Sequence, residues 1–227
     1  MGKKNIILLV GFVVLGLILA IFFLSPNQQS SNLTDNINAS RDLSSNISFS
    51  NGVSANLEGD HILGSDDSKN IIVEYASLTC PHCATFHGDV FPRIKSELVD
   101  TGKVKYIFRD YPIDPLAMAG SMIAHCSGDA MYFGVIDVLL KTQEEWLFDN
   151  ENPYNGLLKV ARLAGLSEED VKLCLSNTEL FNMIEGNQRL ASSRFGVNST
   201  PAVFVNNKKI SSLDFDTILT ELGISKD

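Results

Sequence analysis

The sequence predicts an α/β fold in which two strand-and-helix units flank a helical insertion. Three observations support this fold class. Residues 71–76 form a β-branched run typical of a buried strand, the pattern from about residue 115 to residue 194 is helical, and residues 202–210 have the pattern of a β-hairpin. The predicted order is therefore strand, helix, strand, helical block, hairpin and helix.

The first strand-and-helix unit covers residues 71–109. After the strand, apolar residues recur at helical spacing through Ile94 and Leu98. Pro92 is expected to kink this helix, and Gly102 is expected to end it. Residues 103–109 (KVKYIFR) alternate in character and predict a second strand.

The helical insertion contains three segments with helical periodicity, at residues 117–125, 132–141 and 157–164. Ser167 and the three acidic residues after it predict the start of a further helix.

The last unit is a hairpin followed by a helix. Residues 202–205 and 208–210 flank Asn206 and Asn207, a pair suited to the positive φ angles of a two-residue turn. Residues 214–222 predict a short amphipathic helix.

Residues 1–24 predict an N-terminal membrane helix. From Ile6 to Leu24, 19 consecutive residues carry no charge, and Lys3 and Lys4 precede them. Such a run is long enough to span a bilayer. It is also longer than the apolar region of a cleavable signal and lacks a small-x-small cleavage site, so an uncleaved anchor is favoured over a cleaved signal. The two lysines are expected to stay in the cytoplasm, which places the rest of the chain outside it.

Residues 25–56 predict a flexible tether ahead of a globular domain at residues 57–227. The tether contains nine Ser and seven Asn among 32 positions and few large apolar groups, so it cannot offset its ordering entropy by burial. The net charge of the whole chain is −9. An acidic body argues against a nucleic-acid partner, because nothing would offset the phosphate charge.

Residues 80–83 read CPHC, and the spacing of the two cysteines helps to decide between haem attachment, zinc binding and a reversible disulfide. Haem attachment needs a histidine directly after the second cysteine, where this chain has Ala84. Zinc usually needs a second paired motif, which Cys126, Cys174 and the histidines do not supply. Two buried structural thiols fit poorly with Pro-His between them. Metal binding is therefore not expected, and a reversible disulfide is favoured.

The position of the motif indicates how such a disulfide would work. Pro81 suits the first turn of a helix, which would place Cys80 at the helix N-terminus, where unpaired N–H groups and the helix dipole favour a thiolate. His82 can add a hydrogen bond or a positive charge to the same sulfur. A stabilised thiolate leaves readily, which makes the disulfide a stronger oxidant. Cys83, one turn inside the helix, is expected to be shielded and to act as the resolving thiol.

Glu74 interrupts the apolar strand six residues before Cys80. One interpretation is a strand residue whose carboxylate reaches solvent. The other is a semi-buried carboxylate beneath the disulfide that passes a proton to or from Cys83. The second is favoured, because acids are rarely buried without a partner or a role.

Three segments resemble the DsbA-type thiol–disulfide oxidoreductases of the thioredoxin fold: IIVEYASLTCPHC, FGVNSTPAVFVNNKKI and, for the inserted helical domain of that family, DPLAMAGSMIAHCSGDAMYFGVIDVLLKTQEEW. The resemblance runs from about Leu57 to Leu222. It implies a thioredoxin fold with the helical insertion at about residues 115–194, and Cys80 as the exchanging sulfur with Cys83 as its partner. It also implies that Thr200 and Pro201 form a cis-proline loop that faces them and pairs with an extended substrate.

The resemblance also implies an activity. The expected enzyme introduces disulfides into exported, unfolded or extended proteins that contain cysteines, binds no cofactor, and is reoxidised by a quinone-linked membrane partner. Its expected location is the bacterial inner membrane, with the catalytic domain in the periplasm. An isomerase or reductase of the same fold remains an alternative, as does a tethered binding or chaperone module whose cysteines are structural.

Cys126 and Cys174 both fall within the helical insertion. In an oxidising compartment a structural disulfide is favoured over two buried free thiols. Some DsbA-like proteins carry such a second pair in this domain. A redox-active second pair has no C-x-x-C spacing to support it.

Overall fold

The computed structural model describes residues 49–148 and 152–225. The predicted membrane helix at residues 1–24, and residues 25–48 of the predicted tether, lie outside these residues. None of the helices within the two described ranges is both long and apolar enough to cross a bilayer. The compact unit begins at Phe49 rather than at Leu57. Its first turn, Phe49–Ser54, belongs to the fold because Val53 is only 2% exposed and packs against the sheet.

Five strands form one mixed sheet in the order β1-β3-β2-β4-β5. The strands are β1 (His61–Leu63), β2 (Asn70–Ala76), β3 (Val104–Asp110), β4 (Ala202–Val205) and β5 (Lys208–Lys209). β2 and β3 are parallel, and the other three pairs are antiparallel. The turn between β4 and β5 has φ angles of 48° at Asn206 and 72° at Asn207, the left-handed backbone that Asn tolerates.

The helices are α1 (Pro81–Asp89), α2 (Phe91–Arg93), α3 (Pro115–Cys126), α4 (Asp129–Lys141), α5 (Gln143–Leu147), α6 (Pro153–Leu163), α7 (Glu168–Leu175), α8 (Thr178–Phe195) and α9 (Phe215–Leu222). Helices α3 to α8 form the predicted insertion between β3 and β4. Ser167 caps α7 through a capping box with Asp170, as the acidic residues after it predict. The α/β class with a helical insertion is therefore confirmed.

The helix after β2 is interrupted earlier than predicted. α1 ends at Asp89, Val90 separates it from the short α2, and a π-helical segment, Ile94–Val99, follows. The break precedes Pro92 because a proline restricts the residue before it and cannot donate the hydrogen bond that would continue the helix.

Alternate residues of the central strands face two separate cores. Ile72 and Ala76 of β2 and Tyr106 of β3 face α1, α9 and the insertion, and Glu74 lies on the same face because strand side chains alternate. Val73 and Ile107 face the opposite core, which Val53 and α8 help to close. The CPHC motif thus lies above the face that carries Glu74.

Every residue of β3 is buried, although its sequence alternates between apolar and charged residues. The two basic side chains are buried because each has an acidic partner. Arg109 forms a bidentate pair with Asp60, with its Nη2 2.6 Å from Asp60 Oδ2. Lys105 Nζ lies 3.6 Å from Asp66 Oδ1. Alternate residues of β3 therefore face two different buried cores, and neither face of this strand is exposed to solvent.

Candidate active site

Cys80 lies at the N-terminus of α1, as Pro81 in the first turn predicts. Its backbone is extended (φ −84°, ψ 118°), and its carbonyl accepts from the N–H groups of Cys83, at 3.0 Å, and Ala84, at 3.2 Å. Both thiols of the motif are free. Cys80 is 5% exposed and Cys83 is 0% exposed. A substrate can therefore approach only the first sulfur.

The loop before β4 faces Cys80 from the other side. The peptide bond between Thr200 and Pro201 is cis, and the Cys80 thiol donates to the carbonyl oxygen of Thr200 over 3.4 Å. Both loop residues are partly exposed. The structure thus places the Thr200 backbone beside the accessible sulfur.

Glu74 is completely buried beneath α1. The Tyr106 hydroxyl donates to its Oε2, whereas Oε1 has no hydrogen-bond partner among residues 49–148 and 152–225. Burial raises the pKa of the Glu74 carboxyl to about 7, and the hydrogen bond from Tyr106 acts in the opposite direction. Near neutral pH this carboxyl therefore exists in both its protonated and its ionised form.

Cys83 shares that buried environment. Burial raises the pKa of its thiol well above the usual range, and the negative charge of Glu74 raises it further. A thiolate on Cys83 is therefore strongly disfavoured, and any reaction that leaves charge there requires a proton donor nearby. Glu74 is the buried acid whose charge acts on Cys83.

His82 and His87 lie on different sides of α1. His82 is exposed and has no hydrogen bond to any residue of the described ranges. His87 is 1% exposed, with its Nε2 3.0 Å from Asp137 Oδ1 and its ring stacked on Phe91 at 4.3 Å. Burial lowers the pKa of His87. The buried histidine thus couples the active-site helix to α4 of the insertion, a role that the sequence did not suggest.

Gln143, at the start of α5, supports the active-site loop from the insertion. Its Nε2 donates to the carbonyl oxygens of Leu78, at 2.8 Å, and Cys80, at 3.1 Å, and the side chain is buried. The Thr79 hydroxyl donates to Asp114 Oδ2 at 2.5 Å, which attaches the same loop to the start of α3. A single glutamine has no sequence pattern that marks it, so only the structure reveals this contact.

Cys126 and Cys174 form a disulfide that joins α3 to α7, with their Cα atoms 6.1 Å apart. Cys174 packs beside Met118, Met122 and Ile184. This bridge lies within the insertion and is a separate pair from the CPHC cysteines. Within residues 49–148 and 152–225, no group of three or more His, Cys, Asp or Glu side chains is arranged to hold a metal ion.

Comparison with known proteins supports the chemistry of this site. The thioredoxin family model matches residues 56–222. A protein of Rickettsia bellii named "Putative protein-disulfide oxidoreductase" is 34% identical over 163 residues, which cover 71% of this chain and 62% of that protein. The match thus spans less than two thirds of the relative's length. Disulfide bond formation protein D of Bacillus subtilis is 25% identical over 171 residues, covering 71% of this chain and 75% of that protein.

Solved structures of DsbA-type proteins are also similar to this chain. The crystal structure of Wolbachia pipientis alpha-DsbA1 aligns with a TM-score of 0.69 and 28% identity, covering 75% of this chain and 92% of that one. Oxidised BdbD from Bacillus subtilis aligns with a TM-score of 0.54 and 25% identity, covering 74% and 95%. The resemblance to the DsbA-type fold noted in the sequence is therefore confirmed.

Proposed function

This chain is a DsbA-like member of the thioredoxin family, and on that premise we propose that it introduces disulfides into exported proteins through Cys80 and Cys83. The observation that carries the proposal is the unequal environment of the two sulfurs. Cys80 lies at a helix N-terminus beside the Thr200 carbonyl, and Cys83 is sealed beneath it next to Glu74. An accessible sulfur backed by a shielded one is suited to dithiol–disulfide exchange.

The first step breaks the Cys80–Cys83 disulfide of the oxidised enzyme. A substrate thiolate attacks Cys80 Sγ, a mixed disulfide forms, and the electron pair of the broken S–S bond goes to Cys83 Sγ. Burial opposes charge on that sulfur, so the protonated Glu74 carboxyl donates its proton to it.

The second step releases the oxidised substrate. Another substrate thiolate attacks the substrate sulfur of the mixed disulfide, and Cys80 leaves as a thiolate at the N-terminus of α1. The positive end of the dipole of α1 stabilises this leaving group. The substrate is oxidised by two electrons, and the enzyme is left in the dithiol form.

The partly exposed loop at Thr200 is suited to hold an extended substrate. Its backbone lies against Cys80 Sγ, so a polypeptide that pairs with Thr200 as an added strand would bring its own cysteine to that sulfur. Unfolded or extended exported proteins with cysteines are therefore the proposed substrates.

Location and reoxidation complete the proposal. The uncharged run from Ile6 to Leu24 after two lysines supports an anchor in a bacterial inner membrane, with the catalytic unit in the periplasm. A quinone-linked membrane oxidase is the proposed acceptor of the electrons from the dithiol, because each turnover leaves the enzyme reduced. The name of the relative in Bacillus subtilis, a disulfide bond formation protein, is consistent with this direction.

A redox titration of the Cys80–Cys83 pair against glutathione tests the direction of exchange. For an oxidase we expect a reduction potential of roughly −120 to −180 mV. A value near the −270 mV of thioredoxin would overturn the proposed oxidase function in favour of a reductase. Mass spectrometry of alkylated samples assigns the titrating pair, and a variant lacking Cys126 and Cys174 shows whether that pair contributes.

A trapping experiment tests the proposed roles of the two sulfurs. Cys83→Ser removes the resolving thiol, so mixed disulfides between Cys80 and reduced, unfolded substrates should accumulate. Cys80→Ser is the matched control and should trap none. A binding module with purely structural cysteines would form no such adducts with either variant.

A further inference from the structure

We propose that Tyr106 is a positioning residue for thiol exchange: its hydroxyl holds one oxygen of Glu74 and leaves the other free to exchange a proton with Cys83. The inference rests on the proposed function and extends it to a residue outside the CPHC motif and the cis-proline loop. It depends on the contacts of one buried carboxyl group.

The parallel pairing of β2 and β3 brings the two side chains together. Tyr106 is aligned with Ile72, two residues before Glu74, and all three side chains point to the core beneath α1. Tyr106 is 0% exposed, and its ring packs against Phe91 at 4.9 Å. A rigid, fully packed ring therefore delivers the hydroxyl to Glu74.

The two oxygens of Glu74 have different surroundings. Oε2 accepts the hydrogen bond from Tyr106, whereas Oε1 is buried and has no hydrogen-bond partner within the described residues. A buried carboxyl oxygen without a hydrogen bond costs free energy, and a functional role is one reason for a protein to retain it. Exchange of a proton with the neighbouring Cys83 thiol requires such a free oxygen.

The hydrogen bond also sets the protonation state of the carboxyl. The titratable groups that face this site are Cys80 at the start of α1, Cys83 within α1 and Tyr106 on β3. Tyr132 of α4 acts on Tyr106. Val203 of β4, which pairs with Glu74, is apolar. None of these groups is a cation, so the Tyr106 hydroxyl is what opposes the effect of burial on the Glu74 carboxyl.

Loss of the hydroxyl should therefore affect one direction of proton transfer more than the other. A Glu74 that stays protonated at neutral pH can still donate to Cys83 when the enzyme disulfide opens. It can no longer accept the proton of the Cys83 thiol when Cys83 attacks a mixed disulfide on Cys80. Closure of the enzyme disulfide should consequently become slow at neutral pH and recover at higher pH.

The first test measures Glu74 directly and does not depend on activity. Carbon-13 NMR of the Glu74 carboxyl in the reduced protein gives its titration midpoint. In Tyr106→Phe, which keeps the buried ring, we expect the midpoint to rise by about one pH unit, since a hydrogen bond to a charged group favours the ionised form by that order. Tyr75→Phe is the matched control, because it also removes a buried hydroxyl from the sheet, one bonded to Arg109 instead.

The second test measures disulfide closure. The mixed disulfide of Cys80 with glutathione is formed, and the release of glutathione by Cys83 is followed against pH. At pH 7 we expect Tyr106→Phe to release glutathione roughly fivefold more slowly than the unmodified protein, because a rise of one pH unit lowers the ionised fraction of Glu74 from about one half to about one tenth. Because Tyr106 acts through Glu74, the double variant Glu74→Gln/Tyr106→Phe should match Glu74→Gln alone.

The outcomes separate this inference from the function on which it rests. An unmodified protein that releases no glutathione would overturn the proposed exchange chemistry itself. A protein that exchanges normally but whose Glu74 midpoint is unchanged in Tyr106→Phe would overturn only the role of Tyr106. Additive losses in the double variant would likewise show that Tyr106 does not act through Glu74.

Discussion

The substitution Glu74→Gln should stabilise the reduced protein, and it should do so more at alkaline than at acidic pH. The Glu74 carboxyl has a pKa of about 7 in the folded protein, against an ordinary value of 4.5. Between these pH values the folded state retains a proton that the unfolded chain has lost. Stability therefore falls as the pH rises through this window, and the full cost is present above pH 7.

The magnitude follows from the same two values. At about 1.36 kcal/mol per pKa unit, the ionisable carboxyl lowers the free energy of unfolding by about 3 kcal/mol at pH 8 and by about 1 kcal/mol at pH 5. Glutamine has nearly the same shape and keeps an oxygen to which the Tyr106 hydroxyl can donate. A buried amide adds a contribution that does not depend on pH, so the informative quantity is the difference between the two pH values, about 2 kcal/mol.

Urea unfolding of the reduced protein at pH 5 and pH 8 measures this difference. The substitution Glu145→Gln, at an exposed glutamate, accounts for the general effect of removing one negative charge. Contributions from all other titrating groups cancel when each variant is compared with the unmodified protein at the same pH. If the stabilisation by Glu74→Gln were equal at both pH values, the assignment of a raised pKa to this carboxyl would be wrong.

Two further predictions concern the insertion. Replacing both Cys126 and Cys174 with Ala removes a disulfide between residues that are 48 positions apart. In the chain-entropy account, the free energy of unfolding measured in urea should fall by roughly 3–4 kcal/mol. An unchanged value would mean that the disulfide does not stabilise the fold. Gln143→Leu removes the donor to the Leu78 and Cys80 carbonyl oxygens. It should lower the free energy of unfolding by roughly 1–3 kcal/mol and slow glutathione exchange. A normal exchange rate would show that Gln143 does not position Cys80.

The local part of the site could be predicted from the sequence because its determinants lie close together in the chain. Pro81 fixes the start of α1 and thereby puts Cys80 at the helix N-terminus. The even spacing of Ile72, Glu74 and Ala76 places the carboxylate on the face that α1 covers. Strand period and helix capping are short-range rules, and they operate within these few residues.

The contacts that the sequence did not reveal join residues far apart in the chain. His87 meets Asp137 across 50 positions, and Gln143 reaches Cys80 across 63. These pairs form only when the helical insertion packs against the rest of the fold. No short sequence pattern around His87 or Gln143 indicates the contact. The free Oε1 of Glu74 is also a property of packing, since it depends on which donors the surrounding side chains provide.

The burial of Glu74 permits the proposed proton transfer to Cys83 and also makes the fold less stable. A carboxyl at the surface would be ionised near neutral pH and could not donate a proton to Cys83 when the enzyme disulfide opens. A carboxyl buried without any donor would stay protonated and could not accept one when the disulfide closes. Complete burial together with the single hydrogen bond from Tyr106 keeps the pKa at about 7, where both forms are populated. A variant that gains stability by removing the carboxyl should therefore lose speed in both directions of exchange at neutral pH.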